Sequence, residues 1–327
     1  LVVAYAAQIP LICLERSLNI LPMNISLNPW YYCNFRCKFC YLTEGQLSSQ
    51  KLIKLDKLES RLQEVVAHYG IIDQIDVYGG EVALLPKQYF EDMTVILKRY
   101  CKNLNMITNL SAVNQITEDP NYSLSVSYDF SAREKYDLVY KNMTMISSDF
   151  SVLMLASPHL ITLDPNYMIN MFNLIPNLRS VEIKPYSRNQ ANDLQITDKD
   201  FENYVIRWLT AATPKKFQFV NAALIQQVLD GQGHSYSDDH VYITPSGRFA
   251  VLEFDINDRE YFLEMDSIEE YQQWCEREKQ RVSVNEYCRD CEFHGRCLSE
   301  HLREVRDISM SCNGYKHLIQ WYARQYT

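Results

Sequence analysis

Three cysteines stand together near the start of the chain, in Tyr31-Tyr32-Cys33-Asn34-Phe35-Arg36-Cys37-Lys38-Phe39-Cys40-Tyr41-Leu42. The spacing is C-x3-C-x2-C, and aromatic residues surround it. Three thiols so placed can ligate three corners of a cubane iron-sulfur cluster, which normally takes four thiolates. A set of three leaves one iron open to an outside ligand, the arrangement that a catalytic metal site needs and a structural one lacks. A zinc knuckle or three unrelated buried thiols are the alternative readings, although zinc ligands usually come as more widely separated pairs.

A second group lies far downstream: Cys288-x2-Cys291-x5-Cys297, followed by Cys312. Four thiols at such spacing imply a metal, and zinc suits a four-cysteine set taken by itself. Cys13, Cys101 and Cys275 remain over, and free cysteines of this kind usually pack as small hydrophobes. The seven histidines show no metal spacing.

Positioning these groups requires a scaffold, and the pattern of the chain supplies one. Asn24-Ile25-Ser26-Leu27-Asn28 alternates as a strand does and runs through Pro29 into the cysteine stretch. Five more strand patterns follow, at Ile72 to Tyr78, Leu104 to Thr108, Leu124 to Tyr128, Phe150 to Leu155 and Val181 to Tyr186. Helical periodicity separates most of them, over Leu52 to His68, Pro86 to Tyr100, Arg133 to Met143 and Asn166 to Leu174. Such alternation predicts a parallel α/β sheet, and six units fall short of a closed (β/α)8 barrel. The expected fold is a partial (β/α)6 TIM-like barrel, open on one side. In parallel α/β proteins chemistry collects where loops leave the C-terminal ends of strands, which is where the cysteine loop falls.

Four regions are expected: an N-terminal extension over 1–23, the barrel over 24–190, a bridging region over 191–240 and a small C-terminal domain over 241–327. Ser187 to Asp193 reads as a loop, Asp198 to Thr210 as a helix and Gly231 to Ser235 as a flexible connector. A hairpin is expected from Val241, turning at Pro245-Ser246-Gly247. A net charge of −9 argues against a nucleic-acid surface. The apolar start, Leu1 to Leu14, is broken by Pro10 and too short to span a bilayer. Ten cysteines grouped at ligand spacings rather than spread as disulfides suit a reducing compartment, so the expected location is cytoplasmic.

Taken together, the triad, a Gly79-Gly80-Glu81 at the end of the second strand and the distal cysteines resemble the radical S-adenosylmethionine (SAM) enzymes, in particular the SPASM/twitch subfamily. The resemblance covers residues 24–186 for the barrel and 241–312 for the extension. It implies that SAM chelates the open iron and is cleaved by one electron to a 5'-deoxyadenosyl radical. Phe39 would pack on the adenine, and the Gly79, Gly80 and Glu81 stretch would hold the amino group of SAM. Asn109, Ser127 and Asp129 resemble the family's Thr-Asn-Gly and Ser-x-Asp-Gly stretches that meet the ribose or carboxylate.

Several positions depart from the family pattern. Val82-Ala83 stands where Pro-Leu is usual, Leu110 and Phe130 stand where glycines are usual, and Val139 stands in place of an arginine, with Arg133 or Lys184 as candidate substitutes. In the hairpin, Leu252 and Glu253 occupy the cysteine and acid positions that serve an inner auxiliary cluster, and His301 occupies a further cysteine position. The resemblance therefore implies two 4Fe-4S clusters in all, one binding SAM and one auxiliary cluster on Cys288, Cys291, Cys297 and Cys312. Glu253 is a candidate general base, since a carboxylate partly buried near a substrate can be raised towards neutrality. A surface hairpin carboxylate is the plainer reading.

The subfamily implies modification of a ribosomally made peptide by crosslinking, epimerisation or oxidation. The implied partners are that peptide, a separate leader-binding protein and a flavodoxin or ferredoxin-type electron donor, with neither nucleic acid nor membrane. Radical oxidation or epimerisation of a small molecule such as a sugar or nucleoside is the alternative within enzymes. A non-catalytic iron-sulfur or zinc module is the alternative outside them.

Overall fold

The computed structural model describes residues 22–185, 196–236, 238–251, 262–299, 312 and 314–326. Strand β1 (Met23–Leu27) is followed by a short helix α1 (Glu44–Leu47), then α2 (Leu55–Tyr69), β2 (Ile72–Val77), α3 (Lys87–Tyr100), β3 (Asn103–Thr108) and β4 (Ser123–Ser127). Next come α4 (Tyr136–Met143), β5 (Phe150–Leu155), α5 (Pro165–Phe172), β6 (Leu178–Lys184), α6 (Asp198–Leu209), β7 (Gln218–Phe219) and α7 (Val220–Leu229). The rest comprises β8 (His240–Ile243), β9 (Phe249–Val251), β10 (Leu263–Met265), α8 (Ile268–Ser283) and α9 (Lys316–Tyr326).

All ten strands join one sheet, in the order β10-β9-β8-β1-β2-β3-β4-β5-β6-β7. From β1 to β7 each strand lies parallel to the one before it. The two edges are β7 and β10, so the barrel is incomplete, as the sequence pattern predicts. The hairpin begins one residue before its expected start, and its first strand does more than open a separate unit. β8 pairs parallel with β1, matching Asn24 to His240 and Leu27 to Ile243, and so extends the barrel sheet beyond its first strand.

The two faces of the sheet differ in chemistry because side chains alternate along each strand. Outward positions such as Ile25, Leu27, Ile75, Val77, Leu104, Met106, Val126, Val152 and Val181 are buried. They meet the apolar stripes of the helices, for example Leu58, Leu62 and Val65 of α2 and Phe90, Met93 and Leu97 of α3. Each such side chain contributes about 1.5–3 kcal/mol by leaving water. Most inward positions are polar: Ser26, Gln74, Asp76, Asn105, Ser125, Ser127, Ser151, Ser180, Glu182 and Lys184 all line the barrel cavity, beside the apolar Ile107, Leu153 and Leu155. A packed barrel interior would be filled with branched apolar residues. A polar lining leaves room for a ligand.

Local sequence accounts for the helix boundaries. Thr197 and Asp200 form a reciprocal capping box at the start of α6. Asp164 caps α5, with Pro165 in its first turn. No helix among the described residues is long and apolar enough to cross a membrane.

Candidate metal centres and the barrel cavity

The cysteine loop leaves β1 and is tied down along its length. Pro29 accepts from the Ile53 amide at 2.8 Å, Trp30 from the Gly80 amide at 3.2 Å and Tyr32 from the Glu81 amide at 2.8 Å. The Trp30 indole donates back to the Glu81 carbonyl at 3.1 Å. At its far end the loop enters α1 through a capping box of Thr43 and Gln46, and the Cys33 amide donates to the Leu47 carbonyl at 3.0 Å.

Gly79 and Gly80 have a packing role here. A Cβ on Gly80 would lie 2.0 Å from the Tyr32 carbonyl oxygen, and one on Gly79 would lie 2.5 Å from that of Trp30. Neither position can accept a side chain, because the end of β2 presses on the cysteine loop. Both glycines also line the cavity.

Cys33, Cys37 and Cys40 all face that cavity, whose volume is about 600 Å³, and none of the three is in a disulfide. Burial pushes the Cys33 thiol up to about 11 and the Cys40 thiol up to about 12. Charge on the neighbouring triad sulfurs adds to the rise. Three thiols that oppose one another's ionisation need added positive charge to become thiolates, and an iron cluster supplies it, so this donor set fits such a group. Among the described residues no group of three or more His, Cys, Asp or Glu is closed around a single metal-ion position. Thiolates bound to separate irons of one cluster stand further apart than the ligands of one ion.

The other expected residues divide between the cavity wall and its support. Phe39, Asn109 and Ser127 line the cavity. Asn109 Nδ2 lies 3.5 Å from Cys33 Sγ and donates to Asn34 Oδ1 at 3.3 Å, which ties the end of β3 to the cysteine loop. Glu81 is fully buried. Its Oε1 accepts from the Ala83 amide at 2.8 Å and the Thr108 hydroxyl at 2.5 Å, and its Oε2 accepts from the Asn109 amide at 2.7 Å. The carboxylate thus clamps β2 to β3 and sets the position of Asn109.

Asp129 is also buried. It accepts from Arg133 Nε at 3.0 Å and Nη2 at 2.7 Å, and its other oxygen accepts from the Leu155 amide. Arg133, named in the sequence only as a candidate substitute, lines the cavity. Its guanidinium lies 5.2 Å from the Phe39 ring centre, with Nη1 3.8 Å from Cys37 Sγ. Burial opposes its charge, but the Asp129 carboxylate more than offsets this and holds the guanidinium protonated. Lys184 lines the cavity from β6 and pairs with Glu182 at 3.6 Å. Val139 is buried in α4 and stands away from the cavity wall.

Leu110 and Phe130 follow Asn109 and Asp129, and both adopt left-handed backbone, at φ 50 and φ 48. The turns that glycine would favour are therefore kept without glycine, at a cost of roughly 1–2 kcal/mol each. Burial offsets it: Leu110 is fully enclosed, and Phe130 packs against Tyr128 and Phe172 with ring centres at 4.8 and 5.1 Å.

The distal cysteines lie on turns beyond α8. Burial pushes the Cys288 thiol up to about 11, with the charges of Cys297, Cys312 and Cys291 adding to it, so the four form one electrostatic group. A Cβ on Gly314 would lie 2.6 Å from Cys297 Sγ and 4.0 Å from Cys312 Sγ, so the backbone threads between two of the thiols. The Ser235 hydroxyl is fully buried and lies against Cys297, where it acts as a donor to the sulfur. This set too fits a cluster.

Gly231 to Ser235, expected as a flexible connector, is packed on the same turns. The Ser235 amide donates to the Gly295 carbonyl at 3.1 Å, and Tyr236 bonds His294 at 2.7 Å. Cys101 and Cys275 are buried in the core away from both groups. Cys13, Leu252, Glu253, His301, Tyr186 and the Ser187 to Asp193 loop lie outside the described residues.

Neither a family model nor a curated relative matches the sequence. Solved structures do. The chain is similar to anSMEcpe with bound AdoMet and the Cp18Cys peptide, at a TM-score of 0.65 and 14% identity over 93% of this chain and 96% of that one. It is also similar to SuiB of Streptococcus suis, solved bound to S-adenosylmethionine, at a TM-score of 0.58 and 12% identity over 88% of this chain and 77% of that one. SuiB bound to the precursor peptide SuiA gives a TM-score of 0.57 at 13% identity over 88% and 76%. At such identity the likeness speaks for architecture alone, and the chain has the partial α/β barrel fold with a C-terminal extension that these proteins share.

Proposed function

We propose that this protein is a radical SAM enzyme that modifies a ribosomally made peptide by crosslinking, epimerisation or oxidation. The observation that carries the reading is the convergence of Cys33, Cys37 and Cys40 on one cavity with Gly79, Gly80, Asn109, Ser127 and Arg133. Cys33, Cys37 and Cys40 would hold a 4Fe-4S cluster, and that group would supply the electron for reductive cleavage of SAM and so the radical for hydrogen abstraction from the substrate. The chain's own residues do the rest. Asn109 and the backbone at Gly79 and Gly80 place polar groups at the strand ends, where an amino-acid moiety can be held. Arg133, kept charged by Asp129, presents a guanidinium edge suited to a carboxylate. Phe39 offers a ring face to the same space.

Cys288, Cys291, Cys297 and Cys312 would hold the auxiliary cluster, which passes electrons or staples the domain. A flavodoxin or ferredoxin-type donor and a reducing, cytoplasmic setting follow from that chemistry, and a separate leader-binding protein is the expected partner. The choice of a peptide is supported by anSMEcpe and SuiB, both solved with peptides, which share this fold. Anaerobic reconstitution tests the reading. The reduced protein should carry about eight irons per chain in two clusters and convert SAM to 5'-deoxyadenosine and methionine. Loaded protein that leaves SAM intact overturns it.

A further inference from the structure

Asp76 is the feature of the barrel interior that the reading above does not use. It lies on β2 in register with Ser26 of β1 and Asn105 of β3, facing the cavity. Its Oδ1 accepts from Gln74 Nε2 at 2.7 Å and from Asn105 Nδ2 at 2.9 Å. Both bonds fall on the same oxygen, and among the described residues no donor reaches Oδ2. The two long cationic side chains on the cavity wall are already paired, Arg133 with Asp129 at 2.7 Å and Lys184 with Glu182 at 3.6 Å. Asp76 is thus a cavity carboxylate that no lysine or arginine among the described residues pairs with.

Aromatic rings flank this carboxylate. Tyr78 is the next inward residue of β2, and Tyr242 of β8 is in register with Ser26, which places it across β1 from Asp76. The Tyr78 and Tyr242 ring centres are 6.3 Å apart, and both rings line the cavity. A carboxylate beside an aromatic ring in a cavity suits an organic cation with an apolar stem, because the head gains a charge-assisted hydrogen bond and the ring attracts positive charge. A bare divalent ion does not suit it, since such ions take six or more oxygen ligands.

We propose that this end of the cavity binds a basic side chain of the peptide substrate, its ammonium or guanidinium on Asp76 Oδ2 and its methylene stem against Tyr78. The choice of a peptide ligand rests on the function proposed above. The cysteine triad opens onto the same cavity.

Binding tests this independently of turnover. The reconstituted full chain is titrated with four N-acetylated, C-amidated tripeptides, Ala-Xaa-Ala, in which Xaa is lysine, arginine, norleucine or glutamate. The lysine and arginine probes should bind about tenfold more tightly than norleucine, and glutamate more weakly than norleucine. Asp76→Asn keeps an oxygen for Gln74 and Asn105 and should bring lysine to within about twofold of norleucine. Norleucine binding itself should be unchanged in that variant, showing that the cavity still folds. Asp73→Asn, at an exposed position near the start of the same strand, should keep the preference. Equal affinity for lysine and norleucine, no binding of either, or a lysine preference that survives Asp76→Asn overturns the site. Failure to cleave SAM with the preference intact overturns the enzyme reading and leaves the site standing.

Discussion

The two cysteine groups use the same thiol chemistry in opposite settings. Burial raises Cys33 and Cys288 alike, each to about 11, so the thiols themselves do not distinguish the sites. The surroundings do. The triad sits on a loop bolted to the ends of β1, β2 and β3, and its three sulfurs face a cavity of about 600 Å³. The distal four sit on turns, are ringed by one another, and none lines that cavity. Three ligands on an open wall leave a coordination position for a reactant, whereas four ligands closed on themselves leave none. On the proposed function, that contrast would separate a site built for chemistry from one built for electron passage or stapling.

The strongest way to break that contrast is to remove one ligand from each site. Replacing Cys33, Cys37 or Cys40 with Ala should abolish 5'-deoxyadenosine formation, measured by chromatography after anaerobic reduction. Turnover retained in any of the three would remove the triad from the chemistry. Cys291→Ala should act differently, lowering bound iron by about half while some SAM cleavage persists. Unchanged iron together with bound zinc would make the distal site a zinc staple and would leave the comparison one of metals as well as geometry.

Arg133 tests how far the triad depends on its wall. Arg133→Met leaves Asp129 buried without its cation, which should cost about 3–5 kcal/mol of stability, read as a fall in the denaturant midpoint. Combining it with Asp129→Asn should recover much of that loss, because both charges are then gone. SAM binding should stay weak in the double variant, since the guanidinium is still missing. Recovery of SAM binding along with stability would reduce Arg133 to a structural role.

Much of this arrangement was legible in the chain because it is local. The triad, the Gly79 to Glu81 stretch and the period-two strands fix which loop carries the chemistry and where it leaves the sheet. The polar inner face was equally present, in Asn24 and Ser26, Gln74 and Asp76, Ser125 and Ser127, Ser180 and Glu182, yet it shows only when the alternation is read for what faces inward. The pairing of β8 with β1 joins residues more than two hundred positions apart, and no local pattern encodes it. Helix α7 leaves no such local signature, because Val220–Leu229 is mostly apolar and carries no amphipathic stripe. Glu81 shows the same limit at a single side chain. Its type and place on the chain are plain, but that Thr108 and Asn109 engage its carboxylate shows only once β3 is brought beside it.

The smallest effect expected separates the two regions by pH. His234, on the segment packed against the distal turns, bonds Asp238 at 2.7 Å, and Lys279 of α8 reaches the same carboxylate. The Asp238 bond raises His234 above its ordinary range. Burial opposes the Asp238 charge, but His234 and Lys279 outweigh it and hold the carboxyl down at about 2. A raised histidine stabilises below its unfolded value, about 6.5, and that contribution is lost as pH rises through the folded value. A depressed carboxyl stabilises above its unfolded value, about 3.9, and that contribution is lost as pH falls towards the folded one. The pin should therefore be strongest between about pH 4 and 6.5. With His234 about a third exposed, its weakening above that window is worth about 1 kcal/mol or less. Hydrogen exchange at Gly231 to Ser235 should speed up relative to β2 and β3 between pH 6 and 8, after correction for intrinsic rates. Asp238→Asn should flatten that difference, and a difference that persists in the variant would place the pH sensitivity elsewhere.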